Sequence, residues 1–281
     1  MLLQFLSLLF VIFLPFYVSA ESIEENPQLQ NHCKRISNKL ASVSYEECLS
    51  HKFEMADGYS VKGSPILVKN YFTASNENGS YKNIKDETTN KRILLIGGIH
   101  GNEYSSISII FKWITILNQY HTDSYHWQIV PLLNPDGLLQ KLSKRVNANG
   151  IDLDRNFSVN ADAGEDQDSQ NGEENSLWEP ESLWLAEEIK RYRPDAIITV
   201  HAPNNSLAYK LSNDNPAKLG AQYQKSISVF PGSFNQYVGD RIDIPILTVE
   251  LPYADIMPTK PEINEIWETL IKWLNEHLGS S

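Results

Sequence analysis

The sequence predicts an α/β fold: a mixed, largely parallel central sheet flanked by helices. Three observations predict it. Short runs rich in branched apolar residues recur at Ile93–Ile96, Asp195–Val200 and Ile244–Leu251, as expected of strands covered on both faces. Stretches with apolar residues at helical spacing alternate with them, at Ser105–Tyr120, Glu181–Tyr192 and Pro261–Leu278, and such alternation builds parallel sheets. Turn chemistry separates the two kinds of segment, as in Gly97-Gly98 and Asn134-Pro135-Asp136-Gly137.

In chain order, Met1–Ala20 is apolar and uncharged, with Val18 and Ala20 at small-residue cleavage positions. It predicts a secretory signal cleaved after Ala20. An uncleaved anchor is the alternative, because the segment lacks a leading Lys or Arg. It has no cysteine, which argues against a lipoprotein. Residues 21–281 then read as a single catalytic domain, with a helical N-terminal extension over about 26–49 in which Leu29, Ile36, Leu40 and Val43 share a face. Pro65–Phe72 predicts a strand, and the polar Thr73–Asn90 a loop. After the Ser105–Tyr120 helix, with Ile109, Ile110, Trp113, Ile114 and Leu117 in its stripe, Trp127–Leu133 predicts a strand. Leu138–Asn160 is irregular. Ala161–Asn175 is an acidic surface loop without the spacing of a calcium loop. Leu207–Leu211 predicts a short strand and Pro216–Ile227 a helix.

Composition narrows the function. With 24 basic and 35 acidic residues the formal charge is −11, which argues against nucleic acid or an anionic membrane surface as partner. The 41% hydrophobic content suffices for a packed core. No stretch beyond Ala20 is long and apolar enough to span a bilayer. Cys33 and Cys48 are the only cysteines. In an exported chain they favour a disulfide over two buried thiols, and with only His32 nearby they do not suggest a metal site.

Polar residues collect where the predicted strands end. His100 and Glu103 lie three positions apart between a strand and a helix, His201 follows the Ala196–Val200 strand, and Glu250 closes the Leu247–Val249 strand. In open α/β sheets ligands bind beyond the carboxyl ends of the strands. Two imidazoles and one carboxylate make a catalytic zinc shell with one position open, and Glu250 remains as general base. A carboxylate among Thr248, Val249 and Leu251 is costly to bury without a task. His32, His51, His121, His126 and His277 lack this placement and read as surface or structural.

The motifs together resemble the zinc carboxypeptidases of the carboxypeptidase A type, and among them the bacterial murein-peptide amidase branch. Those that carry the resemblance are Gly-Gly-Ile-His100-Gly-Asn-Glu103, Asn134-Pro-Asp-Gly137, Arg145-Val-Asn-Ala-Asn-Gly-Ile-Asp-Leu-Asp-Arg155-Asn-Phe157, Val200-His201-Ala-Pro203, Pro231-Gly-Ser-Phe234 and Thr248-Val-Glu250-Leu-Pro252. They stand in the family's order. The resemblance implies one Zn2+ per chain on His100, Glu103 and His201, Glu250 as general base, Arg145 polarising the scissile carbonyl, and Arg155 holding the substrate's terminal carboxylate. Where the family usually has Asn before that arginine, this chain has Asp154, which implies weaker anion binding or pairing with a substrate ammonium. Tyr237 is the candidate for the family's tyrosine above the site.

The implied activity is hydrolysis of an amide bond at a free carboxyl end. The implied substrate is a murein stem peptide, a muropeptide cut between γ-D-glutamate and diaminopimelate in the periplasm or outside the cell. A general protein carboxypeptidase or an acyl-amino-acid deacylase is the alternative within enzymes. A catalytically inactive peptide- or wall-binding protein is the alternative outside them. The Asn-x-Ser/Thr sequons at Asn78, Asn156 and Asn204 read as coincidental. The oligomeric state is left open.

Overall fold

A computed structural model describes residues 26–72, 91–119, 125–157, 179–202, 221–223 and 232–278. Its centre is a seven-stranded sheet in the order β1-β2-β4-β3-β5-β7-β6. The strands are β1 (Glu54–Tyr59), β2 (Pro65–Tyr71), β3 (Lys91–Ile96), β4 (Tyr125–Val130), β5 (Ala196–His201), β6 (Ala221–Tyr223) and β7 (Ile246–Glu250). Strands β4, β3, β5 and β7 run parallel, while β1, β2 and β6 join antiparallel at the two edges. The mixed, largely parallel sheet is the one expected.

The parallel centre explains the unbroken apolar runs. Successive strand residues point to opposite faces. In β3, Ile93 and Leu95 pack with α3 (Tyr104–Gln119) and α6 (Lys260–Leu278). Leu94 and Ile96 pack with α5 (Pro180–Tyr192) on the other face. With both faces covered there is no room for alternation. Chain order sets the geometry of the site: β3 leads through α3 to β4 on one side, and β5 then pairs on the other side of β3. The order in which the chain adds strands reverses between β3 and β5, and at such a switch point a crevice opens beyond the strand ends.

Several expectations on local structure are corrected. The single helix over 26–49 is two helices, α1 (Pro27–Ser37) and α2 (Tyr45–Ser50). The break falls where Ser44 caps α2 by accepting from Glu47 N–H, a stronger local preference than continuing the helix. β1 was not expected, since Glu54-Met55-Ala56-Asp57-Gly58-Tyr59 has little apolar alternation; its pairing with β2 makes it a strand. Asn134 starts a short helix, α4 (Pro135–Leu139), where only a turn was expected, with Pro135 at its first position and the Asn134 side chain accepting from Gly137 N–H. Ala221–Tyr223 is a strand inside the helix expected over Pro216–Ile227, because it finds an open edge on β7. The acidic loop 161–175, the Leu207–Leu211 strand and the segment Met1–Ala20 lie outside the described residues. Among those described, no helix is long and apolar enough to cross a membrane.

The Cys33–Cys48 disulfide is formed and joins α1 to α2. His32 and His51 are buried beside it, in line with their structural reading.

Candidate metal centre

The site begins at a glycine. Gly98 has φ +60°, in the left-handed region that turns the chain sharply out of β3. Gly101 lies so close to α4 that a Cβ would stand 2.2 Å from the backbone carbon of Gly137. This tight backbone packing sets His100 and Glu103 over the end of β3, with α3 starting at the next residue. His201 is the last residue of β5, and its Cα partner on β7 is Glu250.

These side chains converge. His100, Glu103 and His201 are all buried, and their ligand atoms lie within 4.8 Å of one another. His100 Nδ1 is 3.0 Å from Glu103 Oε1, His201 Nδ1 is 3.2 Å from His100 Nδ1, and His201 Nδ1 is 3.4 Å from Glu103 Oε2. An ion about 2.0–2.1 Å from three donors at tetrahedral angles holds them roughly 3.3–3.4 Å apart. The donor set therefore fits zinc in type, number and spacing. Two imidazole nitrogens aimed at one point suit a shared cation between them.

A second carboxylate prepares the ligands. Asp152 Oδ1 lies 2.9 Å from His100 Nε2, so the ring proton sits on Nε2 and the Nδ1 lone pair faces the metal position. A carboxylate behind a ligating histidine fixes the tautomer and raises its basicity. Asp152 Oδ2 accepts from Arg145 Nε at 2.9 Å, and Arg145 Nη1 reaches Glu103 Oε1 at 3.4 Å. Glu103 Oε2 also accepts from the Ala202 N–H at 2.9 Å. Burial alone pulls His201 down, but the Glu103 carboxylate outweighs it and lifts the pKa to about 9. Burial likewise pushes Glu103 up, and its bonds to His100 and His201 override that to hold it well below the usual carboxylate range.

Glu250 stands beside this cluster with Oε2 buried and without a hydrogen-bond partner. Burial raises its pKa against the pull of His201, and the Glu103 and Asp154 carboxylates add to the rise. Asp154 thus faces the cluster, from the 3-10 turn Leu153–Arg155 capped by Asp152. Arg155 is largely exposed, with Nε 3.9 Å from Asp152 Oδ2. Five of the eight expected site residues therefore belong to one electrostatic cluster around the ligand triad; Arg145 and Arg155 join it through Asp152. Tyr237 is buried in the aromatic cluster, with its ring 5.5 Å from that of Phe157. Asp152 was missed. It stands within a quoted motif, but nothing in the sequence says that the loop folds it back onto His100.

The profile of the zinc carboxypeptidase family matches residues 48–226, more than half of the chain. The chain belongs to the zinc carboxypeptidase family. It is therefore a hydrolytic enzyme whose cofactor is zinc, and His100, Glu103 and His201 are the grouped residues that can hold the ion. The family match spans those three and Arg145, Asp152, Asp154 and Arg155, and ends before Glu250. Among relatives, the murein peptide amidase A of Vibrio campbellii is 29% identical over 213 residues, covering 69% of this chain and 77% of that protein. The murein peptide amidase A of Escherichia coli K12 is 27% identical over 216 residues, covering 69% and 79%. The structure of bovine thrombin-activatable fibrinolysis inhibitor superimposes with a TM-score of 0.55 at 15% identity, over 90% of this chain and 96% of that one. At that identity the likeness concerns the zinc carboxypeptidase fold alone.

Proposed function

We propose that this chain is an exported zinc amidase that cleaves murein stem peptides at a free carboxyl end, at the bond between γ-D-glutamate and diaminopimelate. One observation carries the reading: His100, Glu103 and His201 converge on a single point with the buried, unpartnered Glu250 Oε2 beside them. The relatives named murein peptide amidase A support the substrate class. The disulfide supports export, because such bonds persist in oxidising compartments; the periplasm is the compartment that holds the substrate. We take residues 21–281 as one catalytic domain behind a signal at 1–20.

When bound, zinc supplies Lewis acidity, drawing the pKa of a water in its fourth position toward ~7 and polarising the scissile carbonyl. The chain's own residues do the rest. Glu250 Oε2 takes the proton of the attacking water and later passes it to the leaving amine. Burial suits it to this work by keeping the protonated form accessible. The Arg145 guanidinium, oriented by Asp152, donates to the carbonyl oxygen as negative charge develops there. Arg155 offers the two-pronged donor that a terminal carboxylate fits. Asp154 beside it meets a substrate ammonium. Diaminopimelate carries a free ammonium at the far end of its side chain, which suits Asp154, while Arg155 keeps the carboxylate beside the scissile bond. Tyr237 has no part in this scheme.

The test offers zinc-loaded protein a muropeptide and an ordinary peptide with a free C-terminus, and follows the products by mass spectrometry. Release of diaminopimelate from the muropeptide is expected. Turnover of the ordinary peptide alone would replace this reading by a general carboxypeptidase. Glu250→Gln should retain zinc and lose turnover by about 10²–10⁴-fold, the usual worth of a positioned general base; wild-type turnover in that variant removes the role given to Glu250.

A further inference from the structure

Residues 26–47 precede the stretch matched by the family profile, and the proposed chemistry uses none of them. They are nevertheless joined to the site. The disulfide closes residues 33–48 into a ring that carries the end of α1, the α1–α2 connection and the start of α2. Ile36, Leu40 and Val43 of the ring are buried in the core cluster that also holds the apolar face of α3. Ser42 Oγ and Ser108 Oγ of α3 lie 2.7 Å apart. Lys112, also on α3, donates to Ser42 O and to the Glu47 carboxylate. The ring is thus fixed to the helix that starts beside Glu103.

From this base Lys39 reaches across the sequence. Its Nζ donates to the backbone carbonyls of Gln140 and, at 3.1 Å, Lys141. These carbonyls follow α4, where an ammonium serves both as hydrogen-bond donor and as the cation favoured at a helix C-terminus. Gln140 and Lys141 belong to the stretch between α4 and Arg145, whose ends are held elsewhere. Asn134 caps α4 through Gly137 N–H at 2.7 Å, and the Arg145 carbonyl accepts from Asn134 Nδ2 at 3.1 Å and from Gly101 N–H at 3.4 Å. Within the span Ser143 Oγ donates to Leu138 O at 2.6 Å and Lys144 N–H to Gly137 O at 2.9 Å, and Lys39 adds the hold on its first two carbonyls.

We infer that the disulfide-closed ring is a clamp for the Arg145 loop, with Lys39 as its positioning residue. Lys39 touches no reacting atom. It acts by restricting residues 140–144, so that the Arg145 side chain stays on Asp152 and Glu103 and presents its guanidinium to the substrate carbonyl. The inference rests on the role proposed above for Arg145.

The test uses the full chain loaded with zinc, as Lys39→Met, which keeps the aliphatic stem, as Lys39→Arg, which restores a donor, and as Arg145→Met. Lys39→Met is expected to keep its zinc, to exchange the amide hydrogens of 140–145 faster, and to lose about tenfold in kcat, the scale of losses when support behind a positioned group is removed. Lys39→Arg should recover most of both. Unchanged exchange at 140–145 in Lys39→Met overturns the clamp. So does wild-type kcat in Lys39→Met when Arg145→Met is inactive. Wild-type kcat in Arg145→Met instead overturns the role of Arg145, and with it the catalytic consequence of the clamp. Should Lys39→Met fail to fold, the same measurements on Lys39→Gln decide.

Discussion

At the scale of single residues, the sequence announces the candidate site and hides its support. His100, Glu103, His201 and Glu250 are legible because each stands at the end of an apolar run, where a polar side chain must have a purpose. Asp152 sits in a stretch without periodicity, and only the path of the loop brings it to His100 Nε2. Its importance can be measured. Asp152→Asn keeps the shape but gives up the charge behind His100, and zinc affinity is expected to fall about 10–100-fold in a chelator competition, as for other supporting carboxylates. Tyr237 is harder to read: a tyrosine near a motif suggests a functional hydroxyl, and its ring packs in the core with Phe157 and Phe234. Asn156 is a third case: its Oδ1 accepts from Glu179 N–H at 2.7 Å and the residue is buried, a structural role that the sequon pattern does not report. Asn78 and Asn204 lie outside the described residues.

At the scale of elements, long periodic segments are legible and short polar ones are not. β3, β5, β7, α3, α5 and α6 follow from apolar patterns that tertiary packing only confirms. β1 depends on a partner strand, which no local pattern reports. The break between α1 and α2 carries a local sign in Ser44 and Glu47, three positions apart in the manner of a capping box, but the apolar spacing of Ile36, Leu40 and Val43 speaks for continuity and obscures it. Close backbone contact between elements is equally silent in sequence. Gly101 is such a contact, because its neighbour is the backbone of α4 and no side chain can move aside. Gly101→Ala is expected to cost about 1–3 kcal/mol, as overpacking does. Thermal unfolding should show the loss as a Tm lowered by roughly 2–10 °C, with weaker zinc binding because His100 and Glu103 flank this close contact.

At the scale of the whole molecule, stability should depend on pH through two histidines remote from the metal centre. Burial is the main reason that His32 and His51 fall from 6.5 to about 4. Above pH 6.5 both are neutral whether folded or unfolded, and they cost nothing. Between pH 6.5 and about 4 the unfolded chain takes up protons that the folded chain refuses, so stability falls as the solution is acidified and levels off below that window. The Tm of the native chain should drop across this range more steeply than that of a His32→Gln, His51→Gln double variant at equal zinc. Parallel slopes would assign the acid sensitivity elsewhere. The overall architecture was legible because a parallel sheet with both faces covered leaves little freedom in where helices go. One consequence follows from His201 and Glu250 facing each other across β5 and β7. Side chains alternate between the faces of a strand, so displacing β7 by one residue would carry Glu250, the proton-transfer group of the proposed mechanism, to the other face while leaving His100, Glu103 and His201 in place. On that mechanism hydrolysis depends on a count of residues along one inner strand, and an insertion there should silence the enzyme without emptying its metal site.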